Sequence, residues 1–343
     1  MQNIDYFKYV DNFIKHEKTH SVLSYGERIF NPYVSIMIPT YKRPELLNQA
    51  IRSVLNQKDF IDFEVVVVDN DNLLSYQKEI IELLRDLNDN RVAYYCNESN
   101  LGVFGNWNRC IELAHGKFMT ILGDDDFLLP EYLKQITKPL LEDESISRIE
   151  CKYFRYNQRK IDKWSDYLIR VIRTILGDNY NLQIGWARWL NQTFINKVFG
   201  DLKPIKLDMY LSGCFTAPHA QLYRTDYAKK IGGFNPDYAP IADFVFNASY
   251  FYHYPNSYQV NYYLCAYRIL VNDSLSKRVI LGCIAGDKKF TQYLLQYCNK
   301  YSNQFLRYLN LKSQFLKYKK SKLVYIYANM YRIYKLFINL PRR

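Results

Sequence analysis

The sequence predicts an α/β protein with a mainly parallel central sheet and helices on its faces. Strand-like and helix-like segments alternate four times within about 90 residues, which is typical of βαβ units. The strand segments are short, continuous apolar runs, as expected for strands buried on both faces. A composition of 48% hydrophobic and 23% charged residues is that of a folded globular chain and excludes global disorder.

The predicted elements follow in a regular order. A strand at 34–39 ends in proline, and Pro44 suits the first turn of the helix at 44–57. Further strands are expected at 63–70, 91–97, 117–126, 214–224 and 262–270. Helices are expected at 75–88, 104–116 and 225–233, from Ala242, and beyond Ser276. Residues 151–213 are irregular and aromatic, and they receive no assignment.

Charge and cysteine usage narrow the class of protein. The net charge is +12, but after Asp287 there are 13 lysines and arginines and no acidic residue, so the rest of the chain is close to neutral. Such a cationic appendage is typical of a docking surface. The seven cysteines stand singly, which indicates reduced thiols in a cytosolic chain. No signal peptide or membrane-spanning run is expected.

Three consecutive aspartates, Asp124, Asp125 and Asp126, end the fourth predicted strand. Adjacent like charges are costly unless a cation lies among them, and carboxylate oxygens suit Mg²⁺ or Mn²⁺. Asp69 also ends a strand, and ligands of parallel sheets bind beyond the carboxyl ends of the strands. We therefore expect the two acidic clusters to face one pocket. The alternative is a solvated turn that caps the helix near Pro130.

Four segments together carry a family resemblance: VSIMIPTYKRPELLNQAIRSVLNQ, EVVVVDND, NLGVFGNWNRCIELAHGKFMTILGDDDFLLP and GGFNPDYAPIADF. In this order they make residues 34–276 similar to inverting glycosyltransferase family 2, although 151–213 match sparsely. The resemblance implies the GT-A fold, a Rossmann-like nucleotide-diphospho-sugar transferase fold, with a C-terminal helical segment. It also implies an enzyme that moves a sugar, here expected from a UDP-sugar, to an acceptor hydroxyl with inversion.

The expected organisation has three parts. An N-terminal preface covers 1–33, the catalytic domain 34–276, and a basic, Tyr/Lys-rich helical tail 277–343. The catalytic domain divides into a nucleotide-binding half, 34–130, and an acceptor half, 131–276.

The resemblance also assigns site residues. The residues that it places at the nucleotide sugar are Pro39, Thr40, Tyr41, Arg43, Asp69, Asn100, Gly102, Asp124 and Asp125. Tyr41 offers a stacking face, Arg43 can meet phosphate, and Asp69 should contact the base. Asp125 and Asp126 are the expected ligands of Mn²⁺ or Mg²⁺, although Gly123 replaces the usual first acid of this motif. After Asp69, Asn70 stands where the family usually has a second aspartate. Asn106 and Arg109 are expected to be structural.

An inverting transfer needs a general base. The resemblance places it at Asp243, where Ala242 replaces the usual glutamate, with Asp237 as the fallback. Asp243 could instead be a helix N-cap. Leu270 replaces a common histidine, and Arg268 is the candidate substitute for that diphosphate contact. The lone His219 lies near the expected acceptor side and is interpreted as structural.

The tail predicts a partner surface. Residues 322–339 place basic and apolar side chains on opposite sides of a helix, which suits an anionic membrane surface or packing on the catalytic domain. The expected acceptor is a lipid-linked oligosaccharide on polyprenyl diphosphate in bacterial surface-polysaccharide or O-antigen assembly. The expected location is cytoplasmic, peripheral on the inner face of the cell membrane.

Two other functions stay open. The first is a catalytically inactive scaffold, because Gly123, Asn70, Ala242 and Leu270 depart from the family pattern. The second is a nucleic-acid-binding protein, prompted by the basic charge and 33 tyrosines. It is disfavoured because the charge is confined to the tail and acids at a pocket mouth repel phosphate, so no nucleic-acid partner is expected.

Overall fold

The computed structural model describes residues 5–157, 202–211, 217–269 and 276–297. Within them, ten strands form one sheet. The strands are β1 (Ser21–Tyr25), β2 (Val34–Thr40), β3 (Phe63–Asp69), β4 (Val92–Asn97), β5 (Phe118–Ile121), β6 (Phe127–Leu128), β7 (Arg148–Asn157), β8 (Leu202–Ile205), β9 (Gln221–Arg224) and β10 (Ser257–Ile269). Their order is β1-β4-β3-β2-β5-β9-β7-β10-β6, and β8 also pairs with β10.

Helices connect and cover these strands. The α-helices are α1 (Pro44–Leu55), α2 (Leu74–Leu87), α3 (Gly102–Leu113), α4 (Tyr132–Glu142), α5 (Leu207–Leu211), α6 (Thr225–Lys230), α7 (Ala242–His253) and α8 (Lys277–Tyr297). Short 3-10 helices cover Phe13–His16, Pro218–Ala220 and Pro236–Tyr238.

Strands β2 to β5 form a parallel part of the sheet, as predicted. β2 pairs in parallel with β3 and β5, and β3 with β4. β3 is buried along its whole length, and its alternate side chains enter different cores. Val65 and Val67 join the core of α1, α2 and α4, whereas Val66 and Val68 join the core of α3. Burial on both faces explains why this strand has no polar alternation.

The second half of the sheet is mixed. β9 lies antiparallel between β5 and β7, and β7 runs parallel to β10. The predicted strand at 214–224 is wrong in its first part. Only Gln221–Arg224 is a strand, because Pro218 has no N–H to donate to a ladder and starts a 3-10 turn instead. Residues 212–216 lie outside the described residues. The predicted strand at 262–270 is confirmed but begins earlier, at Ser257.

Residues before 34 pack into the same body. β1 is the edge strand of the sheet and pairs antiparallel with β4. Tyr6 and Phe7 form a buried aromatic cluster with Phe244 of α7 and with Phe290 and Tyr293 of α8. Described residues on either side of positions 33 and 276 therefore share a core.

Most of the predicted tail, including the amphipathic stretch 322–339, lies outside the described residues. Among the helices that are described, none is both long enough and apolar enough to cross a membrane.

The shared core generates a stability prediction. Phe290 is fully buried among Tyr6, Phe7 and Phe244, so Phe290→Ala should lower the free energy of unfolding by about 3 to 5 kcal/mol. Leu281→Ala on the same helix, where the side chain is half exposed, should cost less than about 1 kcal/mol. Denaturant unfolding measures both. Equal losses would show that α8 does not pack on the preface as described.

Candidate active site

The three aspartates lie on a turn between β5 and β6. The backbone N–H of Asp126 donates to the Gly123 carbonyl at 3.0 Å and closes this turn, which we call the acidic turn (123–126). Asp124 and Asp126 are buried, and the Asp125 side chain is 18% exposed. The alternative of a solvated turn is therefore wrong.

Residues at the end of β2 hold Asp124. Thr40 Oγ1 donates to Asp124 Oδ2 at 2.9 Å. Arg43 Nη1 lies 3.4 Å from Asp124 Oδ1 and 3.5 Å from Asp125 Oδ2. Since β2 and β5 are parallel neighbours, their carboxyl ends bring these side chains to one edge of the sheet.

Asp126 faces the second half of the sheet. Its Oδ1 accepts from the Arg268 backbone N–H at 2.7 Å, and its Oδ2 lies 3.0 Å from His219 Nδ1. Asp126 was predicted as a metal ligand, but both of its oxygens contact donors of the protein. The Arg268 guanidinium donates to Gln49 on α1 at 2.8 Å and is buried, so it is fixed on the protein side.

Electrostatic repulsion is concentrated at Asp125. Burial, followed by the charges of Asp126 and Asp124, raises the pKa of the Asp125 carboxyl to about 6, and Arg43 opposes this shift. Burial also raises the pKa of Asp124. A Cβ on Gly123 would lie 3.0 Å from Asp125 Oδ1 and 3.1 Å from Asp126 Oδ2. The carboxylates of Asp125 and Asp126 therefore occupy the space that an acidic side chain at position 123 would need.

Asp69 lies beside this turn but is completely buried. Its oxygens accept from the Tyr94 hydroxyl at 2.8 Å and the Asp71 backbone N–H at 3.0 Å. Burial raises the pKa of Asp69 to about 6, and the charges of Asp71 and Asp124 add to the shift. The two acidic clusters are therefore neighbours. Both oxygens of Asp69 contact donors of the protein, and its contact with the base stays a prediction.

Asn70 organises the loop that follows β3. Its Oδ1 accepts from the Leu101 backbone N–H at 2.8 Å, and its Nδ2 donates to Asn100 Oδ1 at 3.0 Å and to the Gly102 carbonyl at 3.2 Å. Asn100 in turn accepts from the Gly102 N–H at 2.8 Å. A carboxylate cannot donate hydrogen bonds. The network accounts for asparagine where the resembling family usually has aspartate.

The predicted base and ribose residues line the entrance. Tyr41 is 44% exposed, and Lys42 Nζ lies 5.0 Å from the centre of its ring. Pro39 is partly buried in β2 opposite Val68. Tyr41 therefore keeps a large part of its surface exposed.

The predicted general base lies on a different element. Asp243 is in the first turn of α7, and its Oδ1 accepts from the Phe244 backbone N–H at 2.8 Å. The N-cap residue is Ile241, so the N-cap alternative for Asp243 is wrong. Burial raises the pKa of Asp243 to about 6, opposed by backbone N–H groups. Within the described residues, no hydrogen bond or ion pair joins it to the acidic turn. The fallback Asp237 is exposed and paired with Lys15.

Two helix residues are structural, as predicted. Asn106 Nδ2 donates to the Val68 carbonyl at 3.0 Å. Arg109 Nη2 donates to the carbonyls of His16 and Thr19 at 3.1 and 2.7 Å. Both side chains face the protein rather than a ligand.

A divalent cation fits the acidic turn on chemical grounds. Among the described residues, no three His, Cys, Asp or Glu side chains form a complete metal cage. Mg²⁺ is commonly held by one or two carboxylates together with substrate phosphates and water, so a full cage is not required. Asp125 has the partly exposed carboxylate, and a positive charge there would relieve the repulsion that raises its pKa.

A cavity of about 620 Å³ lies elsewhere. Its lining includes Phe30, His115, Lys117, Arg224 and Lys229, and it shares no residue with the acidic turn. Asp226 is the one carboxylate in this lining, whereas the acidic turn brings three together.

Comparison with known proteins finds a family model and relatives that match parts of the chain. The family model of glycosyl transferase family 2 matches residues 35–199. A GalNAc(5)-diNAcBac-PP-undecaprenol beta-1,3-glucosyltransferase of Campylobacter jejuni is 40% identical over 99 residues, 29% of this chain and 31% of that protein. An abequosyltransferase, RfbV, of Salmonella typhimurium is 34% identical over 101 residues, 29% of this chain and 30% of that protein. The chain thus spans about a third of the length of these relatives.

Solved structures support the fold. S. aureus TarS 1-349 in complex with UDP-GlcNAc superposes with a TM-score of 0.54 at 16% identity, covering 81% of this chain and 71% of that one. A mannosyltransferase from Pyrobaculum calidifontis in complex with GDP-Man and Mn²⁺ gives 0.53 at 14% identity, covering 86% and 73%. At such identity the likeness shows the fold alone. The predicted GT-A fold class is confirmed.

Charge repulsion in the acidic turn generates a prediction on stability. The folded chain keeps a proton on Asp125 up to about pH 6, whereas the unfolded chain releases it near pH 4. This carboxyl therefore stabilises the folded state at low pH, and its contribution is lost as the pH rises through about 6. Without added cation, Asp125→Asn should raise the free energy of unfolding by roughly 2 kcal/mol at about pH 7.5, and the gain should vanish near pH 4.

The neighbouring residue supplies the control. Asp126→Asn should lower the free energy of unfolding by about 1 to 3 kcal/mol, because one of its two accepted hydrogen bonds is lost. Urea unfolding at several pH values measures both variants. A loss of stability in Asp125→Asn at neutral pH would contradict the repulsion inferred here.

Proposed function

We propose, from the match of residues 35–199 to the glycosyl transferase family 2 model, that this protein is an inverting glycosyltransferase that uses a UDP-sugar as donor. The observation that carries the proposal is the acidic turn, with three aspartates desolvated at the carboxyl ends of parallel strands beside Thr40 and Arg43. Such a clustering of negative charge is costly to the fold and suits a site for a cation with a diphosphate.

The chain's own residues have distinct roles toward the donor. Tyr41 stacks on the base, while Asn70, Asn100 and Gly102 keep the loop around it in shape. One oxygen of the buried Asp71 has no hydrogen-bond partner within the described residues, so Asp71 rather than Asp69 is the acid to test for a base contact. Arg43 is partly exposed and faces the diphosphate.

A divalent cation, Mn²⁺ or Mg²⁺, would be held by Asp125 with support from Asp124, and it would neutralise the negative charge that develops on the leaving diphosphate. Asp126 holds the turn in place through His219 and the Arg268 N–H. Arg43 keeps a positive charge between Asp124 and Asp125.

Asp243 is the proposed general base. As the acceptor oxygen attacks the anomeric carbon, its proton passes to the Asp243 carboxylate, and the bond between the anomeric carbon and the diphosphate oxygen breaks. One displacement of this kind inverts the anomeric configuration. The raised pKa near 6 makes the carboxylate a stronger base than an ordinary aspartate while it stays ionised at neutral pH.

We infer the acceptor class by analogy. The printed name of the Campylobacter relative describes an acceptor linked to undecaprenol through a diphosphate. A lipid-linked oligosaccharide of surface-polysaccharide assembly is the acceptor that we propose here. The basic C-terminal tail would then bring the enzyme to the anionic inner face of the cell membrane, from the cytoplasm. We likewise propose that residues 34–276 form the catalytic domain, with a nucleotide-binding half and an acceptor half.

The general base generates a kinetic prediction. Asp243→Asn should lower kcat at least about 100-fold and leave the affinity for UDP within about threefold, because the amide cannot take a proton. Release of UDP from UDP-sugars in the presence of undecaprenyl-diphosphate-linked oligosaccharides measures turnover, and calorimetry measures UDP binding.

The pH dependence provides the check on that assignment. In the wild type, kcat should fall about tenfold per pH unit below pH 6, as the base becomes protonated. Asp237→Asn serves as the control and should keep both kcat and this profile. Binding of UDP without turnover in the wild type would favour the inactive scaffold, and a wild-type profile in Asp243→Asn would remove this residue from the mechanism.

A further inference from the structure

His219 contacts the acidic turn through a buried side chain. Its Nδ1 lies 3.0 Å from Asp126 Oδ2, while the Arg268 backbone N–H occupies Asp126 Oδ1 at 2.7 Å. His219 is 1% exposed and Asp126 is 5% exposed, so water does not compete for the bond. Because a carboxylate only accepts, the tautomer of His219 that carries its proton on Nδ1 suits this contact. His219 is thus the side-chain partner of the acidic turn on the acceptor side.

The position of His219 is fixed by three neighbours. It lies in the 3-10 turn Pro218–Ala220, directly before β9. Thr120 Oγ1 of β5 lies 3.3 Å from the Pro218 carbonyl, and Gln221 Nε2 donates to the Ala217 carbonyl at 3.3 Å. The ring of Tyr153 approaches the imidazole edge-on, with centroids 6.4 Å apart. The imidazole therefore has a fixed place relative to β5, the strand that leads into the acidic turn.

The bond bears on the neighbouring aspartates. Asp126 closes the acidic turn through its own N–H, so the direction in which Asp125 projects depends on where Asp126 is held. Removing the His219 N–H would leave a buried carboxylate oxygen without a donor, next to two other carboxylates. That oxygen would then compete for Arg43 or for a bound cation.

We infer that His219 is a positioning residue that anchors Asp126 and thereby holds Asp124 and Asp125 in the conformation that receives the donor diphosphate and its cation. The inference rests on the proposed function. His219 acts through Asp126, since the Nδ1 atom that faces the turn is already engaged there.

A matched pair of variants isolates the hydrogen bond. His219→Leu and His219→Asn remove the same ring and leave side chains of nearly the same shape. Asparagine keeps an N–H donor at the place of Nδ1, whereas leucine has none. His219→Met is a second donor-free variant that fills more of the ring volume, in case the leucine variant does not fold.

The readout is the Mn²⁺ concentration that gives half of the thermal stabilisation by a nucleotide, with UDP, GDP, CDP and dTDP tested in parallel. His219→Leu and His219→Met should need at least about tenfold more Mn²⁺ than the wild type, and His219→Asn less than about threefold more. Tyr223→Phe is the control, because it removes a buried hydrogen bond to Asn247 away from the turn and should leave the Mn²⁺ requirement unchanged.

The outcomes separate the two proposals. If no nucleotide stabilises the wild type with Mn²⁺, the proposed function fails and this inference fails with it. If the wild type responds but the leucine, methionine and asparagine variants share one Mn²⁺ requirement, the donor site stands and the positioning role is overturned. The positioning role would also be overturned if Tyr223→Phe raised the Mn²⁺ requirement too, so that the requirement simply followed the loss of stability without ligand.

Discussion

Repulsion among the three carboxylates of the acidic turn is the constraint on which the rest of the site depends. Burial, followed by the charges of Asp126 and Asp124, raises the pKa of the Asp125 carboxyl to about 6. The turn is stable because each aspartate is held from a different direction. Thr40 holds Asp124, Arg43 lies between Asp124 and Asp125, and His219 with the Arg268 N–H holds Asp126.

The sheet topology supplies these directions. Parallel pairing of β2 with β5 brings Thr40 and Arg43 to the turn from the nucleotide half, and β9 and β10 bring His219 and Arg268 from the other half. The buried loop after β3 adds Asp69, whose carboxylate braces Asp71 and Tyr94. The charge cluster destabilises the fold on its own and is suited to a cation and a diphosphate, which is the trade between stability and function expected at an active site.

The sequence predicted most of what local pattern determines. The sequence predicted β3 from its continuous valines, α1 from its apolar periodicity after Pro44, and the start of α7 at Ala242. Each of these features depends on neighbouring residues. The sequence could not predict β1 as an edge strand, nor that Asp126 would bond His219, because these depend on pairing between residues far apart in the chain. A clue to Asn70 was present, since asparagines also stand at positions 97, 100 and 106, but only the fold shows that their amides meet.

Cation-dependent binding of a nucleoside diphosphate at the acidic turn is the central claim, and equilibrium calorimetry tests it most directly. UDP, GDP, CDP and dTDP are titrated into wild-type protein and Asp125→Ala, each with Mn²⁺ and with EDTA. The account predicts that UDP binds the wild type in Mn²⁺, and at least about tenfold more weakly in EDTA or to Asp125→Ala. Equal affinity in all of these conditions, or binding of no nucleotide to the wild type, would contradict it.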